Sequence, residues 1–259
     1  MTPSERRTIG LDRPLRLEWL DAVAGQLAAG ATPKEARDYA WGLLEGVLAG
    51  NTAQSARGKT MTVLARVWLT PPDVAVSLRD DGVRLVGSVD ADERLAIHWA
   101  LLSAAYPFFV DVASGVGRAL SLNGEVALSQ LVRRLTEVWG DRSTLPPAAQ
   151  RLLRSMAGWG VLEEGPKRGL YLPRKKRLAV SPRVAQLLIE GLLVDAQRGM
   201  PLAQLISHPS TFPFELRVDM TNLRGSERLR VHRQGDQTDV IEREDRQALA
   251  PLTLFGESH

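Results

Sequence analysis

The sequence contains no cysteine. This absence excludes disulfide bonds, thiolate metal ligands and a cysteine nucleophile, and it is typical of cytoplasmic proteins. Long apolar runs are also missing. The best candidate, residues 99–110, is interrupted by Ser103 and Pro107, and it falls short of the roughly 18 apolar residues of a membrane span. The N-terminal residues do not have the pattern of a secretory signal. We therefore expect a cytoplasmic protein without a membrane partner.

Histidine is scarce, and no pair of histidines has the spacing of metal ligands. The four are His98, His208, His232 and His259. His98 lies on an apolar helical face, which is typical of a hydrogen-bonded core residue. One group of acidic residues could hold a divalent cation in a nuclease: Asp80, Asp81, Asp90, Asp92 and Glu93. A turn followed by a helix cap explains the presence of these residues better. We expect no metal, no cofactor, no small-molecule substrate and no enzymatic activity.

Apolar residues at helical spacing recur through most of the chain, and 44% of all residues are hydrophobic. The pattern predicts a mainly α fold with a sizeable core. We divide it into an N-terminal helical bundle (residues 1–105), a winged helix-turn-helix (106–178) and a C-terminal α+β element (179–259). The last comprises a helix and a β-hairpin with a partly disordered tail.

Local patterns predict further features of the N-terminal bundle. Residues 1–13 should be frayed or extended. A capping box at residues 32–35 should open a helix whose inner face includes Tyr39, Leu43 and Val47. Residues 74–78 should form a short helix, residues 80–82 a turn, and residues 83–89 an irregular or β-like segment.

The winged helix-turn-helix is predicted from residues 123–177. A helical apolar face ends at Gly140, and Ser143 or Thr144 should cap a second helix that has Pro146 or Pro147 in its first turn. Two short apolar runs then flank a turn rich in glycine, which is typical of a β-hairpin, or wing. In the second helix, Gln150, Arg151, Arg154 and Ser155 should point outwards.

Positive charge is concentrated in this segment. Residues 142–177 contain nine Lys and Arg against two Glu, a net charge of +7, so the rest of the chain carries −4 because the whole has +3. A helix fits the major groove of DNA, where arginine and glutamine pair with base edges. We therefore predict binding to double-stranded DNA, with Arg133 and Arg134 as secondary candidates. The predicted DNA-binding residues are Arg142, Ser143, Thr144, Gln150, Arg151, Arg154, Lys167, Arg168, Arg174, Lys175, Lys176 and Arg177.

Five short segments, taken in order, resemble the BrxA family of bacteriophage-exclusion (BREX) systems: residues 98–113, 139–144, 159–162, 212–214 and 233–235. The resemblance extends over about residues 15–241. It implies a mostly helical, cytoplasmic accessory protein of an anti-phage system that binds double-stranded DNA through a winged helix. Other BREX proteins are then possible partners. The family supplies no catalytic residues.

A second hypothesis remains open. Winged helices often contact proteins, and the basic surface could be an ordinary solvated face. The chain would then be a protein-interaction adaptor of the defence complex with a structural winged helix.

Overall fold

A computed structural model describes residues 8–11, 13–235 and 238–244. The helices in these ranges are α1 (Leu17–Ala28), α2 (Pro33–Leu43), α3 (Ala56–Leu64), α4 (Val76–Val86), α5 (Ala91–Ala105), α6 (Pro107–Asn123), α7 (Leu128–Trp139), α8 (Leu145–Gly158), α9 (Pro182–Ala196), α10 (Leu202–Ile206) and α11 (Met220–Arg224). The strands are β1 (Val126–Ala127), β2 (Leu162–Glu164), β3 (Leu170–Pro173), β4 (Leu178–Val180), β5 (Met200–Pro201), β6 (Phe214–Leu216), β7 (Leu229–Gln234) and β8 (Thr238–Arg243). The protein is mainly helical with small sheets, as predicted. None of the described helices combines the length and the apolar character needed to cross a membrane.

Helices α5 and α9 lie at the centre of the fold. Every residue of α5 from Leu95 onwards is buried. Gly191 brings α9 so close to α5 that a Cβ at this position would lie 2.5 Å from the Ala100 carbonyl oxygen. One continuous hydrophobic cluster extends from Ile9 to Phe214, and a smaller one lies under the C-terminal strands.

The capping box of α2 is confirmed. The Thr32 hydroxyl oxygen accepts from the Glu35 amide at 3.3 Å, and the Thr32 amide donates to the Glu35 carboxylate at 2.8 Å. The predicted inner face is partly wrong, since Tyr39, Leu43 and Val47 are 40–49% exposed. Only a narrower face, centred on Ala36 and Ala40, packs inwards, because alanines let α2 approach the bundle closely without larger side chains between.

The prediction for residues 74–89 was right for the helix at 74–78, but wrong for the turn at 80–82 and for most of the irregular segment that should follow it. A 3₁₀ turn at Asp73–Ala75 leads into α4, which continues through the expected turn to Val86. Leu78, Gly82 and Val86 recur every four residues and are buried. A Cβ on Gly82 would lie 3.1 Å from the Ile97 side chain, so the glycine serves close helix packing here. Tertiary contacts therefore override the weak helix propensity of this segment.

Residues 8–11 belong to no helix or strand, in keeping with the expectation of a frayed or extended segment, but they are not frayed. Ile9 and Leu11 are buried in the main core. Residues 1–7 and 12 lie outside the described residues. Apolar burial, rather than hydrogen-bonded secondary structure, therefore holds this segment against the protein.

The strands form three small sheets. The first is antiparallel in the order β1-β3-β2. Its strand β1 comes directly after α6 in the sequence, and helices α7 and α8 lie between β1 and β2 in the sequence. The second pairs β4 with β6 in parallel. The third has the order β5-β8-β7, and its β7–β8 hairpin confirms the predicted C-terminal hairpin. Residues 236–237 and 245–259, which include most of the predicted tail, lie outside the described residues.

His98 is a hydrogen-bonded core residue, as predicted. Its ring is fully buried, and its Nδ1 accepts from Trp68 Nε1 at 3.2 Å. Its Nε2 therefore carries the proton and donates to Asp21 Oδ1 at 2.9 Å. Burial lowers the pKa of His98, although hydrogen bonding to Asp21 raises it in part.

We expect the free energy of unfolding to decrease between pH 7 and pH 5 because His98 binds a proton more readily in the unfolded chain. A histidine with a lowered folded-state pKa stabilises the fold above its unfolded pKa of about 6.5, and this contribution is lost as pH falls. The contribution of one such group is at most about 1.4 kcal/mol per pH unit. Urea denaturation across this range should give a smaller slope for His98→Gln than for the wild type. The exposed His232→Gln serves as control, and equal slopes for all three proteins would contradict the assignment.

Candidate nucleic-acid interface

Helices α7 and α8 are joined by a short turn that begins at Gly140, whose φ of 76° favours glycine. Trp139 anchors the end of α7. It is buried edge-on against Phe108 at 5.1 Å between ring centroids, and its Nε1 donates to Asp111 Oδ2 at 2.8 Å. Both partners lie on α6, so α6 fixes the position of the turn.

The predicted side-chain cap of α8 was wrong. Thr144 occupies the cap position, but its side chain makes no capping hydrogen bond and its backbone is already helical, with φ −81° and ψ −17°. A capping side chain at Thr144 would accept a hydrogen bond from the backbone amide two or three residues later. Those residues are Pro146 and Pro147, which have no amide hydrogen. Ser143 and Thr144 are both exposed and remain available for other contacts.

Helix α8 has a wide buried face and a narrow outer strip. Leu152, Leu153 and Met156 are buried. Arg154 is exposed, while Gln150 and Arg151 are partly exposed. Arg154 is four positions after Gln150 and three after Arg151, so the three side chains share one face of the helix. The predicted outer strip is therefore present.

Ser155 does not belong to this outer strip, which corrects the prediction that it points outwards. It is buried, and its Oγ accepts from the Leu15 amide at 2.8 Å. Trp159 Nε1 donates to the Leu15 carbonyl oxygen at 2.9 Å. The segment before α1 therefore runs along α8 and covers part of its surface, a long-range contact that helical periodicity does not reveal.

Arg154 lies against the hairpin rather than entirely in solvent. Burial and the nearby Glu164 carboxylate raise the pKa of Tyr171 on β3, whereas Arg154, which hydrogen-bonds the Tyr171 side chain, lowers it. Arg154 of the outer strip therefore lies beside Tyr171 of the hairpin.

The β2–β3 hairpin presents two exposed cations at its turn. Lys167 and Arg168 lie between the paired strands, and the Leu170 amide donates to the Lys167 carbonyl at 3.0 Å. Gly169 adopts φ 79° and closes the turn. Both side chains are therefore free of the core and can reach a ligand beside α8.

The basic segment after the hairpin turns back towards the centre of the protein. Arg174 Nη1 lies 3.8 Å from Asp92 Oδ1 at the start of α5. Arg177 donates to the Phe214 carbonyl. Lys175 and Lys176 are exposed, and the partly exposed Arg142 lies before α8. The predicted residues thus share one region of the chain but divide between α8, the hairpin turn and this returning segment.

The acidic residues considered for a nuclease all have structural contacts. Among the described residues, no group of three or more His, Asp or Glu side chains could hold a metal ion. Three of the carboxylates contact guanidinium groups: Asp80 contacts Arg79, Asp81 contacts Arg228, and Asp92 contacts Arg174. The other two accept from backbone amides: Asp90 accepts from Glu93, and Glu93 accepts from Ser181.

A cleft of about 710 Å³, which the sequence did not predict, lies beside this region. Arg118 of α6 and His208 line it together with the returning basic segment. Arg118 is exposed on a helix whose surrounding residues are nearly all buried. A lone arginine in an apolar helix was the signal that could have marked the site.

The comparisons with known proteins give no assignment: no family model, no curated protein and no solved structure matches the chain. The resemblance to the BrxA family therefore stays a prediction.

Proposed function

We propose that the chain is a non-catalytic, cytoplasmic accessory protein of a bacterial BREX system, and that it binds double-stranded DNA through a winged helix-turn-helix. The observation that carries the proposal is the element order α6, β1, α7, α8, β2, β3 with the sheet order β1-β3-β2. This is the arrangement that we expect of a winged helix, in which the second helix of the turn enters the major groove. The net charge of +7 over residues 142–177 adds support.

In this proposal, α8 is the helix that faces DNA. Gln150, Arg151 and Arg154 face base edges or phosphates, because they form the outer strip of α8. Lys167 and Arg168 extend from the wing to the backbone of the duplex. The contact between Arg154 and Tyr171 couples the two parts, so the helix and the wing act as one surface.

The remaining predicted residues have less direct roles. Arg174 and Arg177 are held by Asp92 and by the Phe214 carbonyl, so they contribute mainly to the local positive potential. Lys175, Lys176 and Arg142 add long-range attraction to phosphates, which depends strongly on salt.

We expect Arg151→Ala/Arg154→Ala to weaken duplex binding roughly 10- to 100-fold, because two cationic side chains at the interface are lost. The slope of log affinity against log salt should become shallower by about 2, since each lost phosphate contact changes it by about 0.9. A duplex titration at several salt concentrations measures both quantities. Single-stranded DNA and RNA should bind more weakly.

The matched control is Lys34→Ala/Arg37→Ala, which removes two exposed cations from α2. Thermal denaturation should show that both double variants remain folded. Equal affinity of the Arg151/Arg154 variant and the control would show that α8 is not the DNA-binding helix. No duplex binding even at low salt would overturn the DNA proposal.

One observation favours the adaptor hypothesis as second candidate. Three apolar side chains on α2 and in the turn after it are each at least 40% exposed: Tyr39, Leu43 and Val47. Exposed apolar surface is typical of protein-interaction sites. If duplex DNA does not bind, α2 and this turn are where a protein partner of the defence complex should contact the chain.

A further inference from the structure

The cleft of about 710 Å³ lies between three segments. One wall is the C-terminal half of α6, another is the segment after β3, and the third is residues 207–213. Gly117 permits this close arrangement, because a Cβ at this position would lie 2.0 Å from the Pro209 carbonyl oxygen. The walls are therefore fixed by backbone packing, and the volume is within the range of small-molecule sites, about 300–1,000 Å³.

The rim of the cleft is strongly basic. Arg118, Arg174, Lys176 and Arg177 line it, and no aspartate or glutamate does so among the described residues. Arg118 comes from α6, whereas the other three follow the hairpin. Cations from two walls converge on one space, which favours a ligand with more than one negative charge.

Much of the remaining lining of the cleft is apolar. It consists of Phe212, three prolines and three aliphatic residues: Pro173, Pro209, Pro213, Leu120, Leu122 and Val161. Phe212 packs edge-on against the buried Trp99, with 5.7 Å between ring centroids, so the core holds its ring in place. A partly exposed ring in a fixed position offers a planar ligand ring a stacking partner.

His208 offers a neutral donor in the same wall. Its Nδ1 accepts from the Ser210 amide at 3.3 Å and lies 2.7 Å from Ser210 Oγ. The proton of the neutral ring therefore resides on Nε2. Burial lowers the pKa of His208, and the adjacent Arg118 lowers it further. The cleft therefore contains an uncharged hydrogen-bond donor, His208 Nε2, beside its cationic side chains.

We propose that this cleft binds a nucleotide, with its phosphates on Arg118, Lys176 and neighbouring arginines and its base against Phe212 and the prolines. A simple monocarboxylate would leave several cations without an anionic partner. A purely apolar ligand would leave Arg118 and Lys176 without one. The cleft shares Arg174, Lys176 and Arg177 with the proposed duplex-binding residues, but nucleotide binding in it does not require duplex binding. The nucleotide is either free in solution or the terminal unit of a single strand.

Isothermal titration of the full chain with ADP, adenosine, inorganic pyrophosphate and 5′-phosphorylated dTpdT tests the proposal. We expect ADP or the phosphorylated dinucleotide to bind saturably, and adenosine and pyrophosphate to bind at least about tenfold more weakly, since each lacks half of the recognised chemistry. Tighter binding of ADP identifies a free nucleotide, and tighter binding of the dinucleotide identifies a strand end. Arg118→Ser and Lys176→Ser should each weaken binding about tenfold or more.

The control Arg224→Ser removes an exposed arginine of α11 outside the cleft and should leave nucleotide binding unchanged. Lys167→Ala/Arg168→Ala should weaken duplex binding and leave ADP binding unchanged, so failure of one proposal is distinguishable from failure of the other. Both cleft residues to be replaced are exposed, so these variants should fold. The proposal is overturned if neither probe binds, if pyrophosphate alone binds as tightly as ADP, or if both serine variants bind like the wild type.

Discussion

Replacement of Arg228 by methionine is expected to lower the free energy of unfolding by about 3–5 kcal/mol, because it removes the only arginine among the described residues that hydrogen-bonds both oxygens of a buried carboxylate. Glu190 of α9 is fully buried, and Arg228 Nε and Nη2 contact its two carboxylate oxygens, each at 2.8 Å. Arg228 also donates to Asp81 of α4. Hydrogen bonding to Glu190 raises the pKa of Arg228 further above its ordinary value, so the guanidinium is charged throughout the accessible pH range.

The position of this ion pair explains the expected size of the effect. Arg228 immediately precedes β7, and Arg243 Nε of β8 lies 3.7 Å from the same Glu190. The C-terminal hairpin is therefore joined through Glu190 to the central helix α9, and through Asp81 to α4. Loss of Arg228 affects three elements at once, unlike the loss of a pair on the surface.

Urea denaturation followed by circular dichroism measures this change. The double variant Glu190→Leu/Arg228→Met should recover part of the loss, since it removes both buried charges. Arg84→Met removes the other cation that contacts Asp81, but Arg84 is exposed, so we expect a change of less than about 1 kcal/mol. An Arg228→Met variant as stable as Arg84→Met would show that Glu190 becomes solvated without cost.

Local patterns predicted most elements between residues 123 and 177. Gly140, Pro146 and the glycine-rich turn act on their immediate neighbours, so α7, α8 and the β2–β3 hairpin were predictable from sequence. The same holds for the capping box of α2. In these places the chain neighbours of a residue decide its conformation, and distant contacts only stabilise it.

Long-range packing explains what the sequence did not reveal. The parallel pairing of β4 with β6 joins Ala179 to Glu215, and neither short segment signals the other. The contact of Ser155 with Leu15 spans 140 positions. Gly82 reads as a turn residue locally, yet it serves the packing of α4 on the core. Each of these features depends on a partner that periodicity cannot identify.

The sequence predicted the positive charge of the candidate interface but not the positions of its side chains. The basic segment is evident from composition, yet the sequence could not show that Arg174 turns towards Asp92 while Lys167 remains at the hairpin turn. The cleft was missed for the same reason. Its walls come from residues 117–122, 173–177 and 207–213, which are separated by long stretches of chain.

Trp99→Ala is expected to lower the free energy of unfolding by about 3–5 kcal/mol, the usual range for the removal of a fully buried large aromatic ring. Trp99 of α5 packs edge-on against Phe109 at 4.8 Å, Phe214 at 5.4 Å and Trp159 at 6.1 Å between ring centroids. Its Nε1 also donates to the Ser210 carbonyl at 3.0 Å. The substitution therefore creates a cavity and leaves a buried acceptor unsatisfied.

Trp99→Phe separates these two effects. It retains most of the ring but not the donor, so we expect a loss of about 1–3 kcal/mol, the cost of an unsatisfied buried polar group. Urea denaturation followed by far-ultraviolet circular dichroism avoids the change in tryptophan fluorescence. Because Trp99 joins α5 to Trp159 at the end of α8 and to residues 210–214, loss of its ring should weaken the whole fold in one cooperative transition. A separate early transition in Trp99→Ala would contradict this role and show that these regions unfold independently.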